Sequence, residues 1–518
     1  MVRLATFSMR LRRKRSGFRI VRLVLTPMNY TSSALRRKAS RLALALALSF
    51  GAGAARGQRP EAARQARQHY EKGVELLGAR QVDAAIAELR EAVRLDPDSA
   101  EAHSYLGYAF GAKGQLQDSA REFEAAVKLK PDFSEGYYYL GAARWFSGDT
   151  QGAVAALKTA ARLMPEHVNA HYYLGLALQK SGDLPGAIGE FKTAVKLSPE
   201  MIEPRHAMGL ALQQDEDLDE AVEAFREVVR LKPDFVQAHN DLGLALVQKR
   251  DPDGAIAEFN AALRLEPTNT VSLHNLGMAF IQKGDFAAAA AQYRRLLAVA
   301  PDDAEAHYNL ALALKGRDDL DGAAGELRRA TALQPSMPEA HYALGVILLQ
   351  QSKLAEAAAA FRSAVAAKRD YAEAHYALGT VLQQQGDTAG AIAAFREALR
   401  YAPEAPEIHN TLGTALRQRG EAEAARLEFQ EAARLNKLKS DRQAAVFAFN
   451  TGVARLKQGD VDAAIERLEA AVKLDPKNAQ AFYQLAVAYQ QKGQKAAAAA
   501  AYQKAKELDP RVKPLPQN

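Results

Sequence analysis

The sequence predicts an all-α solenoid of stacked helix-turn-helix units, and three observations predict it. A 34-residue unit recurs thirteen times between Ala66 and Val512, and internal periodicity of this length marks a repeat array. The unit shows at its end, where Pro97, Pro131, Pro165, Pro199, Pro233, Pro267, Pro301 and Pro335 follow one another at that interval. Within the units apolar residues recur at i, i+4, as in Leu174 with Leu178 and Leu242 with Leu246, which is helical spacing.

Taking Ala66, Ala100, Ser134, Val168, Ile202, Val236, Thr270, Ala304, Pro338, Ala372, Pro406, Ala445 and Ala479 as position 1 of each repeat aligns every column. The first helix carries Gly at position 8 in eleven repeats, among them Gly107, Gly141, Gly175 and Gly277, and Ala311 and Ala486 in the others. A glycine inside a helix costs roughly 1 kcal/mol relative to alanine, so retaining it requires a compensating close approach. The turn is marked at position 15, where eight glycines from Gly114 to Gly493 suit a left-handed helix cap. The second helix supplies a small residue at position 20, Ala in twelve repeats and Ser119 in the remaining one. It also supplies a large one at position 24, such as Phe123, Phe191, Phe225, Phe259, Tyr293, Phe361, Phe395 and Phe429. The large side chain fills the space left beside position 8, and truncating such a Phe to Ala is expected to cost about 3–5 kcal/mol. Proline at position 32, in eleven of thirteen repeats, closes the unit.

With these columns in place the chain resembles the tetratricopeptide repeat (TPR) family. Repeat 4 carries the family pattern as His171, Leu174, Gly175, Ala187, Phe191, Ala194 and Pro199. Position 4, often Trp in the family, is mostly His here. The resemblance implies a right-handed superhelical solenoid with a concave groove lined by first helices, and it implies binding of protein or peptide partners.

One irregularity interrupts the period. Repeat 11 has Lys437 where proline is expected, and five extra residues, Ser440–Ala444, precede repeat 12. Ser440 and Gln443 form a capping-box pattern that predicts a helix start. Repeat 12 also resembles repeat 1: VDAAIERLEAAVKLDP from Val461 parallels VDAAIAELREAVRLDP from Val82, and both repeats carry a polar residue at position 7, Lys72 and Thr451. The expected organisation is a leader (1–55), a lead-in (56–65), repeats 1–11 (66–439), an insertion (440–444), repeats 12 and 13 (445–512) and a tail (513–518). The path of the array is expected to change near residues 438–444.

The leader has a composition of its own. Residues 1–55 hold twelve Lys or Arg and no acidic residue. Arg36, Arg37, Lys38 and Arg41 precede the apolar run Leu42–Phe50, and Ala52-Gly53-Ala54 follow it, which reads as the basic, apolar and cleavage regions of a secretory signal. The run is too short to span a bilayer. Counted from Met28 the signal has ordinary length, so translation is expected to start there. Arg36-Arg37 continues poorly into Ala39-Ser40 as a twin-arginine signal, and the uninterrupted apolar block argues against a mitochondrial presequence. The location expected is exported, periplasmic or secreted, in a bacterium, with no transmembrane segment after cleavage.

Charge then excludes a class of partners. The whole chain is +7, but without the leader 56 basic residues face 61 acidic ones, a net of −5. Nucleic-acid binding needs a basic face on the folded part, so no nucleic-acid partner is expected. Cysteine is absent, which removes disulfides and thiol nucleophiles and leaves stability to the stacked core.

The chain is expected not to be an enzyme, and to need no cofactor or metal. Of its eleven histidines, eight occupy position 4 (His69, His103, His171, His239, His307, His341, His375, His409), His206 and His274 occupy position 5, and His167 occupies position 34. A periodic His is read as a packing residue, since copies one repeat apart lack the i, i+4 spacing that converges on one ion. Position-2 glutamates such as Glu101, Glu135, Glu203 and Glu305 are explained by the helix dipole. Glycosyltransferases with long repeat arrays add a large catalytic domain, and here only Lys513–Asn518 follow repeat 13. Their groove also carries Asn at position 6, found here only at Asn275, Asn309 and Asn450.

Specificity is therefore expected in the groove. At 100° per residue, positions 2, 5, 9, 12 and 13 share one face of the first helix, opposite positions 3, 7, 10, 11 and 14. Position 5 is Tyr in seven repeats, position 9 is mostly aliphatic (Leu176, Leu210, Leu244, Leu312), and positions 12 and 13 are rich in Gln. Family members that clamp a terminal carboxylate do so with Lys at 5 and Asn at 9, and this chain has neither. The expected partner-binding residues are Tyr108, Tyr138, Trp145, Phe146 and Tyr172, with Tyr308, Tyr342 and Tyr376 as a second ladder, because Tyr and Trp combine contact area with a polar tip. The expected function is a non-enzymatic scaffold holding protein or peptide partners in its concave face. The alternatives are a structural subunit of an envelope secretion or polysaccharide-export machine, or a substrate-recruiting subunit of an enzyme complex.

Overall fold

The computed structural model describes residues 59–516; the leader with its signal-like run, the expected start at Met28 and the last two residues lie outside the described residues. Among the described residues every regular element is an α-helix, twenty-five in all, and none is long and apolar enough to cross a membrane. The chain forms two compact units, one ending at Asp285 and the other beginning at Phe286.

The first unit is a stack of helical hairpins: α1 (Arg59–Gly78) with α2 (Val82–Leu95), α3 (Ala100–Lys113) with α4 (Leu116–Leu129), α5 (Ser134–Ser147) with α6 (Thr150–Leu163), α7 (Val168–Ser181) with α8 (Leu184–Leu197), α9 (Ile202–Gln214) with α10 (Leu218–Leu231), and α11 (Val236–Gln248) with α12 (Pro252–Leu265), followed by α13 (Thr270–Lys283). Each helix packs on the next. First helices also touch one another, α1 with α3, α5 with α7, α7 with α9, α9 with α11 and α11 with α13, and so form a continuous row.

The close approach inferred from position 8 is present. A Cβ on Gly175 would stand 2.5 Å from Cε1 of Phe191, and Phe191 and Ala187 at positions 24 and 20 are fully buried. Where position 20 is serine, the hydroxyl of Ser119 donates to the Gly107 carbonyl at 2.7 Å, so the polar atom is satisfied inside the contact. The turn is more uniform than the glycines suggest. All eight position-15 glycines have positive φ, and so do Arg80, Glu216, Arg250, Asp318 and Ser352, at 59° to 64°, which hold position 15 in the other five repeats. The left-handed residue is a property of the turn, not of glycine. Aspartates at position 16, such as Asp149, Asp183 and Asp251, then cap the second helix by accepting from the backbone N–H three residues on.

The second unit contains α14 (Phe286–Val299), α15 (Ala304–Gly316) with α16 (Leu320–Leu333), α17 (Pro338–Gln350) with α18 (Leu354–Ala367), α19 (Ala372–Gln384) with α20 (Thr388–Tyr401), and α21 (Pro406–Arg419) packed on α22 (Ala422–Lys457). Helix α22 continues onto α23 (Val461–Leu474), and α24 (Ala479–Gln491) with α25 (Lys495–Leu508) follows.

The thirty-six residues of α22 join the second helix of repeat 11 to the first helix of repeat 12. The capping-box reading of Ser440 and Gln443 is therefore corrected: both lie in the helix interior. With lysine at 437 no ring blocks the i−4 hydrogen bond, and Ser440–Ala444 simply extend the helix. The first half of α22 meets α21 through Phe429 beside Gly413, and the second half meets α23 through Gly452 beside Leu468. In repeats 9, 10 and 13 position 3 is a fully buried alanine, Ala340, Ala374 and Ala481, and in repeat 11 it is buried Ile408. In repeat 12 it is Phe447, 71% exposed, because the helix that would cover it lies end to end with its own. On the other side of the junction position 21, buried Ala358 and Ile392 in preceding repeats, becomes Arg426, paired with Glu423 one turn away.

Candidate peptide-binding groove

The row of first helices is fixed by its position-4 histidines. In His103, His171, His239, His307 and His409, Nδ1 lies 2.6–2.7 Å from a glutamate at position 23 of the same repeat, and Nε2 lies 2.9–3.1 Å from the carbonyl of the proline that ends the preceding one. Each of these rings ties two helices and the incoming loop together. His341 and His375 keep only the carbonyl contact, to Pro335 and Arg369, because Ala360 and Ala394 occupy position 23. The Glu122 carboxylate raises the pKa of His103. His167 does the opposite: its Nδ1 accepts from the Ala170 N–H at 3.0 Å and caps α7, and burial lowers its pKa.

Aromatic rings run along the row through the first four repeats. Tyr70 meets Tyr105 at 5.4 Å, Tyr105 meets Tyr108 at 6.2 Å, Tyr108 meets Tyr139 at 4.3 Å, Tyr139 meets Tyr138 at 4.9 Å, and Tyr138 meets Tyr173 at 6.4 Å. Position 5 of one repeat thus reaches position 6 of the next, and the position-6 tyrosines Tyr105, Tyr139 and Tyr173, missed in the sequence, complete the series. Only the pairing of columns 5 and 6 across adjacent repeats could have disclosed them.

This arrangement revises the expected contact surface. Tyr138 is 5% exposed and sits between Tyr139 and the His167 ring, 4.7 Å away. It is an inter-repeat core residue with no area to offer a ligand, and burial raises its pKa. Tyr108 is half-buried against Phe123 and Tyr139. Trp145 is half-buried beneath the Lys180 ammonium, 5.1 Å from its ring centre, and half-buried Phe146 packs edge-on against Tyr173. Tyr172 remains at the groove surface, its pKa pushed up to about 12 by burial of the ring.

Around Tyr172 the groove deepens. Tyr172, Leu176 and Gln179 of repeat 4 face Glu203, His206 and Leu210 of repeat 5, with Phe235 closing the end, around a depression of ≈ 300 Å³. Leu210 is 37% exposed. Lys232 lies over the Phe235 ring at 5.2 Å, and His206 Nε2 meets Asp241 Oδ2 at 2.7 Å, with Gln237 donating to the other oxygen at 2.8 Å. An apolar floor is therefore edged by an acid, an amide, an imidazole and an ammonium. The sequence pointed to columns 5 and 9 here, but not to Lys232 and Phe235, which come from the loop between repeats.

In the second unit Tyr308, Tyr342 and Tyr376 are all half-buried, and burial raises the pKa of Tyr308 and Tyr342. Tyr342 lies 5.7 Å from Phe361 and 5.2 Å from Tyr371, and Tyr376 lies 5.7 Å from Phe395. Tyr342 and Tyr376 thus each pack on the fully buried position-24 ring of their own repeat. Glutamines bridge adjacent repeats within each unit: Gln213 donates to Gln248 at 2.8 Å in the first, and Gln383 to Gln418 at 3.0 Å in the second.

Comparison with known proteins matches this geometry at the level of the repeat. A family model described as tetratricopeptide repeat matches residues 70–132, 138–202, 206–270, 314–372 and 376–440. A TPR repeat model matches 277–316 and 452–493, and a further tetratricopeptide repeat model matches 479–512. No curated protein matches significantly. Among solved structures, YrrB, a TPR protein with an unusual peptide-binding site, is 22% identical over 36% of this chain and 96% of its own, with a TM-score of 0.34. MamA of Desulfovibrio magneticus RS-1 is 26% identical over 33% and 96%, with a TM-score of 0.32. Yeast Tom70 is 17% identical over 71% and 96%, with a TM-score of 0.35.

Proposed function

Because the chain belongs to the tetratricopeptide repeat family, we propose that it is a non-enzymatic scaffold that holds an extended peptide or protein segment along its row of first helices and reads it at the depression of repeats 4 and 5. The observation that carries this reading is the Tyr172–Leu176–Leu210–Phe235 floor edged by Glu203, Gln179 and Lys232, since ligand sites are typically apolar with a few convergent polar groups. Trp145, Phe146 and Tyr108 flank it on the side of repeats 2 and 3 and extend the contact by one or two residues of ligand. Tyr308, Tyr342 and Tyr376 offer a second ladder of the same kind.

The scaffold works outside the cytoplasm on this proposal. The support is the acid-free, basic leader followed by Leu42–Phe50 and Ala52-Gly53-Ala54. Cell fractionation with N-terminal sequencing tests it: a periplasmic chain starting close to Arg56 is expected, and a cytoplasmic chain retaining the leader would overturn it.

Binding is tested by affinity capture from envelope extract with the mature chain, its Tyr172→Ala/Leu210→Arg variant and its Trp145→Ala variant. A partner retained by wild type is expected to be lost in the first variant and weakened in the second. Equal recovery by all three would place binding elsewhere.

A further inference from the structure

Residues Pro514–Pro516 lie against the first helix of repeat 13. After α25, residues Val512–Pro516 run without regular structure back to α24. There Tyr483 Oη donates to the Pro514 carbonyl at 3.4 Å, and Gln490 Nε2 donates to the Pro516 carbonyl at 2.7 Å. Between the two carbonyls, Leu515 packs against the apolar cluster of the last two repeats, which includes Leu485 and Ala488.

Tyr483 and Gln490 occupy positions 5 and 12, seven residues apart and therefore on one face of α24. In other repeats these two positions address the following first helix. Tyr376 at position 5 meets Thr411 at 3.3 Å and Gln383 at position 12 donates to Gln418 at 3.0 Å; His206 meets Asp241 at 2.7 Å and Gln213 donates to Gln248 at 2.8 Å. Repeat 13 has no following repeat among the described residues, and the tail supplies two carbonyls where polar side chains of positions 6 and 13 would stand.

The tail is chemically suited to that place. Pro514 and Pro516 have no N–H and fixed φ, and each biases the residue before it, Lys513 and Leu515, to an extended conformation. Such a strand has two fewer backbone donors to satisfy and loses little entropy on docking. The surface it meets offers a phenol and an amide donor around an apolar hollow.

We infer that the end of the array is a recognition site for an extended proline–apolar–proline segment of a partner protein, and that Val512–Pro516 fills this site in cis and must be displaced. The inference rests on the peptide-scaffold reading, but the site is separate from the depression at Tyr172. A tethered ligand on a short flexible linker acts at an effective concentration on the order of 1 mM, so the tail sets a threshold: only a segment that binds well at its own concentration displaces it.

The test uses a fluorescent peptide, acetyl-Val-Lys-Pro-Leu-Pro-Gln-Asn, and anisotropy. Three proteins are compared: the mature chain, the same chain ending at Arg511, and the mature chain carrying Leu515→Asp. The truncated and Leu515→Asp proteins are expected to bind the peptide at least about tenfold more tightly than the mature chain. In the truncated background Gln490→Ala and Tyr483→Phe are each expected to weaken binding about fivefold, the size of one neutral hydrogen bond, and a peptide with Asp in place of Leu is expected not to bind. Should truncation unfold repeat 13, as melting would reveal, the Leu515→Asp protein decides. Equal binding to all three proteins, or binding to neither opened form, would overturn the inference. A dimer of the mature chain that dissociates on truncation would also overturn it, in favour of tails exchanged between copies. Tyr172→Ala/Leu210→Arg is expected to leave peptide affinity unchanged, so failure of the site in repeats 4 and 5 is distinguishable from failure of this one.

Discussion

A left-handed backbone costs an L-residue about 1–2 kcal/mol and glycine almost nothing, so the five non-glycine residues at position 15 are built-in weaknesses. Ser352, at φ 59°, is the simplest to relieve. Ser352→Gly is expected to stabilise the second unit by about 0.5–1 kcal/mol after allowing for the greater freedom of the unfolded glycine, whereas Gly148→Ala, at φ 92°, is expected to destabilise the first by about 1–2 kcal/mol; urea titration reads both. The clasp of His103 gives a second residue-scale expectation. Its folded pKa is raised above the ordinary value of 6.5, chiefly by the hydrogen bond to Glu122. The stability it adds is therefore complete below about pH 6.5 and lost as pH climbs through the folded value. Melting temperature against pH should fall across that range more steeply in the wild-type chain than in Glu122→Gln. Of these features only the position-15 glycines were legible in the sequence. The clasp was not, because one of its acceptors is a backbone carbonyl, and carbonyls leave no trace in residue identity. A histidine column alone looks like packing, and the structure shows that it is packing joined by two hydrogen bonds.

At the scale of the element, a helix boundary is set by what stops propagation as much as by what starts it. Within each hairpin the left-handed residue at position 15 ends the first helix, and in most repeats proline at position 32 follows the end of the second. At repeat 11 the period failed and the start signal at Ser440 misled, since a capping side chain acts only where the preceding chain has already left the helix. Restoring the stop tests this. Lys437→Pro places proline inside α22 and is expected to cost about 3 kcal/mol and to lower helical circular dichroism. In an ordinary repeat of this chain proline at position 32 is the native residue. Positions 5 and 9 were legible as columns of the first helices, but depth was not: Tyr138 is buried because it packs against Tyr139 and His167 and meets Tyr173, a ring at position 6 of the next repeat. The contact with Tyr173 exists only between two repeats, so no single repeat's residues disclose it.

At the scale of the whole molecule, contacts run to neighbouring helices and stability becomes a sum over local units. Phe191→Ala and Phe395→Ala lie in different units, each removing a fully buried ring. Each is expected to cost about 3–5 kcal/mol, and the double variant is expected to show their sum within about 0.5 kcal/mol, provided that each unit's unfolding is followed by its own probe. The continuous helix α22 departs from this locality in one respect. Two neighbouring repeats normally adjust to each other through side chains, but repeats 11 and 12 share one rigid rod, so their mutual orientation is an angular phase counted in residues. Each residue added to or removed from Ser440–Ala444 advances or retards that phase by about 100° and shifts it along the axis by about 1.5 Å. Deleting one residue there would turn the face carrying Tyr483 and Gln490 through more than a quarter revolution relative to repeat 11 without altering a single side chain in either. The five-residue insertion thus behaves as a dial that sets the direction in which repeats 12 and 13 face with respect to repeat 11.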